Sequence, residues 1–516
     1  MLADLDSGGD GVVLGQVIHE GSPVASAKLP LDAVNRHVLV AGTPGSGKTT
    51  TVLSILTSLW RDHGIPFLVI EPTKSEYRTL MDAPGMDELR VIALGRDDVA
   101  PMRLNPLAPP SGVRMEVQAN AVLASLKAAL PLWPPLPQLL EDAIERAYRR
   151  AGWDHDSTVD DGLTPPSLRT VMACFEEAFA EADYVGDARN VAAAMATRLK
   201  SLVRGSKGRV LDTVESTDFA ALLRRPVVIE MDEIADPEDK AVMASFLLDR
   251  IRAGARSRGS SEGRLRHVTV LEEAHRLLPR LVPAGGNDGG DPRSAGVEAF
   301  CNAIAELRSV GEGFVLSSQS PSRLAAAAVD NCGTRILHRI ESSADREVVL
   351  NDLDASDLER QAAARLRVGE AVARWPHLDE PEIIQVVAGA GVNSGAVVTT
   401  ERVRERMADE TVLVRSLLPY PMCTREVCRS GCQSRVRADG QEIAEETAAF
   451  AGATWKEHPP REAVPIIARR LRDAADDDIQ SAYCAAAHLA AYGHALSGAP
   501  RRVDIAARVR DALEEM

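Results

Sequence analysis

The stretch His37-Val38-Leu39-Val40-Ala41-Gly42-Thr43-Pro44-Gly45-Ser46-Gly47-Lys48-Thr49-Thr50 decides the fold. A short β-rich run enters a glycine-rich turn, and an apolar-periodic helix leaves it from Lys48 to about Arg61. Residues 42–49 satisfy G-x-x-x-x-G-K-[ST] in full, in the strand-to-helix context that gives the motif its meaning. Glycines let the backbone close around phosphate groups with its N–H groups facing inward, and the helix N-terminus adds partial positive charge. Gly42 to Thr50 are therefore the expected cradle of ATP. Lys48 is expected to reach the β- and γ-phosphates and Thr49 to ligate Mg²⁺.

Outward from this turn, Pro66–Ile70 and Leu89–Leu94 read as further strands. Strand, helix and strand at this spacing imply βαβ units and a parallel sheet. Residues from about 105 to 225 show few strand signals and carry helical patterns near 137–151, 166–183 and 188–204, which reads as a helical insertion. Strands resume at 226–231, 267–271, 313–317 and 335–340, with helices at 237–258 and 295–310 and a closing hairpin at 370–374 and 382–387. The loop 279–296 is rich in Gly, Pro and Asp. The expected division is a short N-terminal β remnant (1–35, with one strand at 12–19), an α/β core of RecA-like type (36–390), and a helical C-terminal region (391–516).

A phosphate loop needs a carboxylate at the end of another strand. His267-Val268-Thr269-Val270-Leu271-Glu272-Glu273 supplies two. Glu272 is expected in the Mg²⁺ shell through water, and Glu273 as the residue that polarises the attacking water. Gly313–Ser318 is another strand, ending at Gln319, which suits a γ-phosphate sensor or a holder of the lytic water. Arg308 and Arg346 are the two candidates for a finger reaching a neighbouring subunit's nucleotide. Each has a surface ion pair as its bland alternative.

These motifs resemble a known family. Asn35–Gly42, Ile70-Glu71-Pro72-Thr73-Lys74-Ser75-Glu76-Tyr77-Arg78, Glu272-Glu273-Ala274-His275-Arg276-Leu277-Leu278-Pro279, and Ala305–Gly313 with Gln319-Ser320-Pro321-Ser322 are similar, in that order, to HerA-type helicases and translocases of the HerA–FtsK superfamily, close to its bacterial branch. The resemblance spans roughly 30–390. It implies an ATP-driven motor on double-stranded DNA, a homo-hexameric ring, and a partner nuclease or other effector in DNA processing or phage defence. Lys48, Glu273, Gln319 and Arg308 then become the catalytic set, with Arg346 second to Arg308. Glu71 lies where the family has an acidic residue after its second strand. Two departures stand out: only about 35 residues precede the core where the family commonly has a β-barrel, and Glu272 replaces Asp.

Composition adds limits. The 516 residues are 45% hydrophobic and 26% charged, with net charge −16 and only 4% aromatics. A chain this acidic is not coated with basic surface for nucleic acid, so DNA contact must be local. Low aromatic content argues against base-stacking platforms for single strands. Local candidates are Arg198, Lys200, Arg204, Lys207 and Arg209, and, around the 279–296 loop, Arg276, Arg280 and Arg293. No run reaches the roughly 20 apolar residues of a membrane span, and the start has no apolar leader, so a cytoplasmic setting is expected. That absence weakens a conjugation or secretion ATPase, and no LSGGQ-like signature supports a cassette ATPase. A nucleotide-gated scaffold controlling an effector without moving on DNA is the alternative reading.

Cys423, Cys428 and Cys432 form C-x4-C-x3-C, close enough to share Zn²⁺ or an iron–sulfur cluster, with Cys484, His488 or His458 as fourth ligand. Chance clustering is the competing reading. Cys174, Cys301 and Cys332 read as isolated core cysteines.

Overall fold

The computed structural model describes residues 10–281, 291–350 and 360–408 apart from 183, 215, 362, 377, 379 and 390–396, together with 460–475 and scattered positions near the C-terminus. By compactness the chain divides into two units. The first comprises 1–100, 119–138 and 218–407, and the second 101–118, 139–217 and 408–516.

The first unit is built on one 11-stranded sheet. Its strands are β1 (Gly11–His19), β2 (Ser22–Pro30), β3 (Val38–Ala41), β4 (Phe67–Glu71), β5 (Arg90–Ala93), β6 (Val227–Glu230), β7 (His267–Leu271), β8 (Glu312–Ser318), β9 (Thr334–His338), β10 (Glu370–Arg374) and β11 (Glu382–Val386). Their order is β2-β1-β11-β10-β9-β3-β8-β7-β4-β6-β5. From β9 to β5 every pairing is parallel, and from β9 to β2 every pairing is antiparallel. The α/β, mainly parallel core is therefore as the sequence implies.

The parallel strands are apolar on both faces because helices cover both. Val38, Val40, Phe67, Val69, Val268 and Val270 share a core with Val52, Ile55, Leu56 and Leu59 of the helix Lys48–His63. The alternate residues Leu39, Leu68 and Ile70 are equally buried. Gly64, at φ 63°, ends that helix where an L side chain would be strained. The core helices Pro237–Ser257 and Ser294–Glu306 also fall where periodicity places them. Asp236 caps the first, accepting from the Glu238 and Asp239 amides, with Pro237 opening the turn.

The N-terminal segment differs from the single strand expected of it. β2 follows β1 as a hairpin partner, and β1 pairs with β11, so both strands extend the core sheet. The approach is tight. A Cβ on Gly15 would lie 2.0 Å from the Gln385 carbonyl oxygen and 2.9 Å from the Val387 nitrogen.

The second unit contains the helices Leu168–Glu181, Asp187–Leu202 and Gly205–Leu211 and most of Leu136–Arg150, all within the expected insertion. The insertion's basic run is engaged internally: Lys200 pairs with Glu176 at 2.5 Å and Lys207 donates to Ser201. In the C-terminal stretch the helix Pro460–Ala474 matches the expected 461–475. Cys423, Cys428, Cys432, His458 and His488 lie outside the described residues. Among the described residues no cluster of His, Cys, Asp and Glu is placed to hold a metal ion. Cys174, Cys301 and Cys332 are buried free thiols, as expected of core cysteines. Among the described residues no helix is long and apolar enough to cross a membrane.

The Gly15 contact gives the first prediction. Gly15→Ala overpacks the β1–β11 junction and is expected to cost about 1–3 kcal/mol, read as a lowered urea midpoint. An unchanged midpoint would show that the hairpin is not held at this register.

Candidate functional site

The phosphate loop emerges from β3 at the C-terminal edge of the parallel strands, where open sheets of this kind bind ligands. Gly45 and Gly47 have φ of 73° and 117°, conformations that L side chains rarely adopt. Gly42 has no room for a side chain, since a Cβ there would meet Ser46 Oγ at 2.5 Å and His338 Cβ at 2.7 Å. Neighbours brace the loop. The Gly42 amide donates to the Ser318 carbonyl, Thr43 donates through N and Oγ1 to the Arg339 carbonyl, and the Gly369 amide donates to the Ser46 carbonyl. Pro44 and Gly45 are exposed at the tip, and Thr50 is half-buried in the first helical turn.

His338, which the sequence reading did not single out, supports the loop from the end of β9. Its Nδ1 faces the Glu370 carbonyl at 3.0 Å and its Nε2 faces Thr51 Oγ1 at 2.8 Å. A carbonyl only accepts, so Nδ1 carries the proton and Nε2 accepts from Thr51. Burial lowers the pKa of His338 to about 4, which keeps this neutral tautomer in place.

Lys48 is almost fully buried, and its Nζ lies 3.5 Å from the Thr43 carbonyl. Burial pushes its pKa below the usual value, while Glu272 and Glu273 pull it back up. Thr49 Oγ1 donates to Glu76 at 3.1 Å. The Thr49 hydroxyl and the Glu76 carboxylate beside it are oxygen donors of the kind Mg²⁺ takes.

Sheet order explains the rest of the site. β8 lies between β3 and β7, so Gln319, just past β8, falls between the phosphate loop and Glu273, just past β7. Gln319 Nε2 donates to Glu273 Oε1. His275 Nδ1 lies 3.4 Å from the other Glu273 oxygen and 3.1 Å from Ser318 Oγ. Glu273 itself is buried at φ 48°, ψ 46°. A non-glycine residue held there stores roughly 1–3 kcal/mol of strain, a pattern that clusters at functional sites.

A row of buried carboxylates continues outward. Glu272, Glu71 and Glu230 stand at the ends of neighbouring strands β7, β4 and β6. One short segment meets all three. The amides of Ser75, Glu76 and Tyr77 donate to Glu71 at 3.1, 2.6 and 3.4 Å. Tyr77 Oη donates to Glu272 at 2.6 Å, and Arg78 forks onto Glu230 at 2.7 and 2.5 Å. Burial raises the pKa of all three carboxylates: Glu71 well above the usual value, with Glu230 and Glu272 adding to it, and Glu230 against the pull of Arg78. In the sequence Glu76, Tyr77 and Arg78 stand out only by family resemblance, and the structure gives each a contact.

The two arginine candidates separate. Arg308 is exposed in the turn Leu307–Val310 that leads into β8, beside Asn35, at the edge opposite the phosphate loop. Arg346 lies on the loop's own edge and donates to the Ile340 and Glu341 carbonyls at 2.8 and 2.7 Å. Arg293 is tied to Asp291 at 2.5 Å. By contrast, exposed Arg276, Arg280 and Arg323 line a cavity of about 480 Å³ with His275, Pro279 and Ser322. Two loops are stapled there, with the Arg280 amide on the Arg323 carbonyl and the Ala325 amide on the Leu278 carbonyl.

Residues 12–251 match the family model described as "Helicase HerA, central domain". This segment is HerA-like. The matched range holds the phosphate loop and the 71–78 segment and ends before β7, so Glu272, Glu273, Arg308 and Gln319 lie outside it. Among solved structures, VirB4 of Thermoanaerobacter pseudethanolicus is 17% identical, with 74% of this chain and 97% of that one covered and a TM-score of 0.54. The bacterial conjugative coupling protein TrwBdeltaN70 is 14% identical, over 74% and 90% of the two chains, at a TM-score of 0.49. The first of these supports the P-loop ATPase fold. A search of curated proteins gives no match.

His338 yields a pH prediction with a definite sign. Its folded pKa of about 4 lies below its ordinary 6.5, so between those values the unfolded chain binds more protons and stability falls with falling pH. By pH 5 the loss from this residue is about 2 kcal/mol. The raised carboxylates act in the opposite sense, so the test is a difference. Between pH 7.5 and 5.0, His338→Gln is expected to lose about 2 kcal/mol less unfolding free energy than the parent chain. Equal losses would place the histidine outside the pH response.

Proposed function

We propose that this chain is an ATP-hydrolysing translocase or helicase motor that works on double-stranded DNA as a homo-hexameric ring. Lys48 holds the β- and γ-phosphates, and Thr49, with Glu272 through water, holds Mg²⁺. Glu273 polarises the lytic water and Gln319 senses the γ-phosphate. The observation that carries this reading is the convergence of Lys48, Glu273 and Gln319 at one sheet edge, with Gln319 already bonded to Glu273. Held by Gln319 and flanked by His275, the Glu273 carboxylate is engaged within the chain, and it must turn from these partners to act on water.

Arg308 is proposed as the finger acting in trans. Such a residue must lie away from its own phosphate loop and stay exposed, and Arg308 does both. Arg346 is second, its guanidinium being bound to its own chain's carbonyls.

DNA contact is assigned to the cavity lined by Arg276, Arg280 and Arg323, which gathers three exposed guanidinium groups on an otherwise acidic chain. Guanidinium groups grip backbone phosphates without reading sequence. The division into an N-terminal hairpin continuous with the core, an insertion and a helical C-terminal region, a cytoplasmic setting, and a nuclease or other effector as partner complete the proposal. The three cysteines near 428 are retained as a Zn²⁺ or iron–sulfur site to be settled by metal analysis.

Two measurements test this reading. Glu273→Gln is expected to retain ATP binding and lose at least about 100-fold in hydrolysis. Duplex DNA is expected to stimulate the parent ATPase in a salt-sensitive way, and Arg280→Ala with Arg323→Ala to bring the ratio of rates with and without duplex close to one. A parent chain that hydrolyses ATP but ignores duplex would replace the motor with the nucleotide-gated scaffold.

A further inference from the structure

We propose that Glu76 is a positioning residue for the metal of the nucleotide site, acting through the Thr49 hydroxyl. This inference rests on the reading of Lys48 and Thr49 as that site, and not on DNA. A threonine hydroxyl has one proton and two lone pairs. To serve a metal it must send the proton elsewhere and turn a lone pair to the ion. Glu76 Oε2 takes that proton's hydrogen bond at 3.1 Å. Outer partners of this kind fix a ligand's orientation and raise its basicity.

Glu76 is aimed by its own backbone. Its amide donates to the buried Glu71 carboxylate at 2.6 Å. The two preceding residues, Lys74 and Ser75, both hold left-handed conformations, at φ 77° and 85°. The adjoining Tyr77 is pinned to Glu272. The remaining Glu76 oxygen faces Lys74 Nζ at 3.4 Å, and Lys74 lies within electrostatic reach of Lys48. The carboxylate is 43% exposed, so solvent and an incoming ion reach it. Two consecutive strained residues beside the phosphate loop, ending in a carboxylate bonded to the metal-ligand threonine, set Thr49 before the metal arrives.

The test reads binding and not turnover. ADP affinity is measured by calorimetry in Mg²⁺ and in EDTA, and the ratio of the two is the readout. Glu76→Ala is expected to reduce that ratio by about 10-fold while leaving affinity in EDTA within about twofold. Glu76→Gln keeps an acceptor oxygen and the turn, and is expected to retain most of the ratio. Thr49→Ala is expected to remove it, and adding Glu76→Ala to that variant to change nothing more. A parent ratio in Glu76→Ala overturns the proposal, as does equal weakening in Mg²⁺ and EDTA, which marks a purely structural role. A parent chain that binds no ADP in either condition overturns the nucleotide-site reading itself.

Discussion

Three neighbouring parallel strands end in buried carboxylates, and the architecture of the site follows from the need to satisfy them. A buried carboxylate left without donors is costly enough to neutralise itself or unfold its surroundings. Glu272, Glu71 and Glu230 are met by a hydroxyl, three amides and a guanidinium, all from residues 75–78. That segment reaches all three only because the chain turns back sharply after β4. The turn holds Lys74 and Ser75 left-handed, in a conformation that costs each non-glycine residue about 1–2 kcal/mol. Charged hydrogen bonds, at roughly 1.5–3 kcal/mol each, are strong enough to hold it there.

This arrangement also joins the two halves of the nucleotide site. The same segment touches Thr49 on the phosphate-loop helix and Glu272 at the end of β7, although β8 separates β3 from β7 in the sheet. The gap left by β8 is closed by its own last residues, with Ser318 reaching the Gly42 amide and Gln319 reaching Glu273. The antiparallel strands contribute from the other side. Glu370 and Gly369, at the start of β10, hold His338 and Ser46, so the strands that carry the N-terminal hairpin also brace the loop.

The sequence revealed these layers unequally. The phosphate loop was legible because each of its residues answers a local demand: glycine where φ is positive, lysine and threonine at the helix start. The parallel strands were legible as short apolar runs. β2 was missed because Ser22–Pro30 carries prolines at its second and last positions and is exposed over most of its first half, as an edge strand can be. Strand order is not encoded locally, so the meeting of Gln319 with Glu273 could be expected only from a family resemblance. Tyr77 lies 195 positions from Glu272 and Arg78 lies 152 from Glu230, so nothing near either residue announces its partner. Arg293 and Arg280 looked alike as loop cations. Asp291, two residues away, ties the first, and a backbone pairing places the second beside Arg323.

The acidic balance of the chain fits this distribution of charge. A net charge of −16 opposes polyanions at long range, yet screening confines that repulsion to about 10 Å at ordinary salt. Within that distance three guanidinium groups around one cavity dominate. Some basic side chains elsewhere are engaged within their own chain, as Lys200 is with Glu176 and Arg78 with Glu230. His275 lines the cavity and lies 3.4 Å from Glu273, so an anion settling among the arginines is one side chain away from the proposed catalytic carboxylate. The pKa of that imidazole is lowered by burial, against the pull of Glu273. A phosphate beside that imidazole opposes the lowering, because a neighbouring anion favours the charged form of histidine.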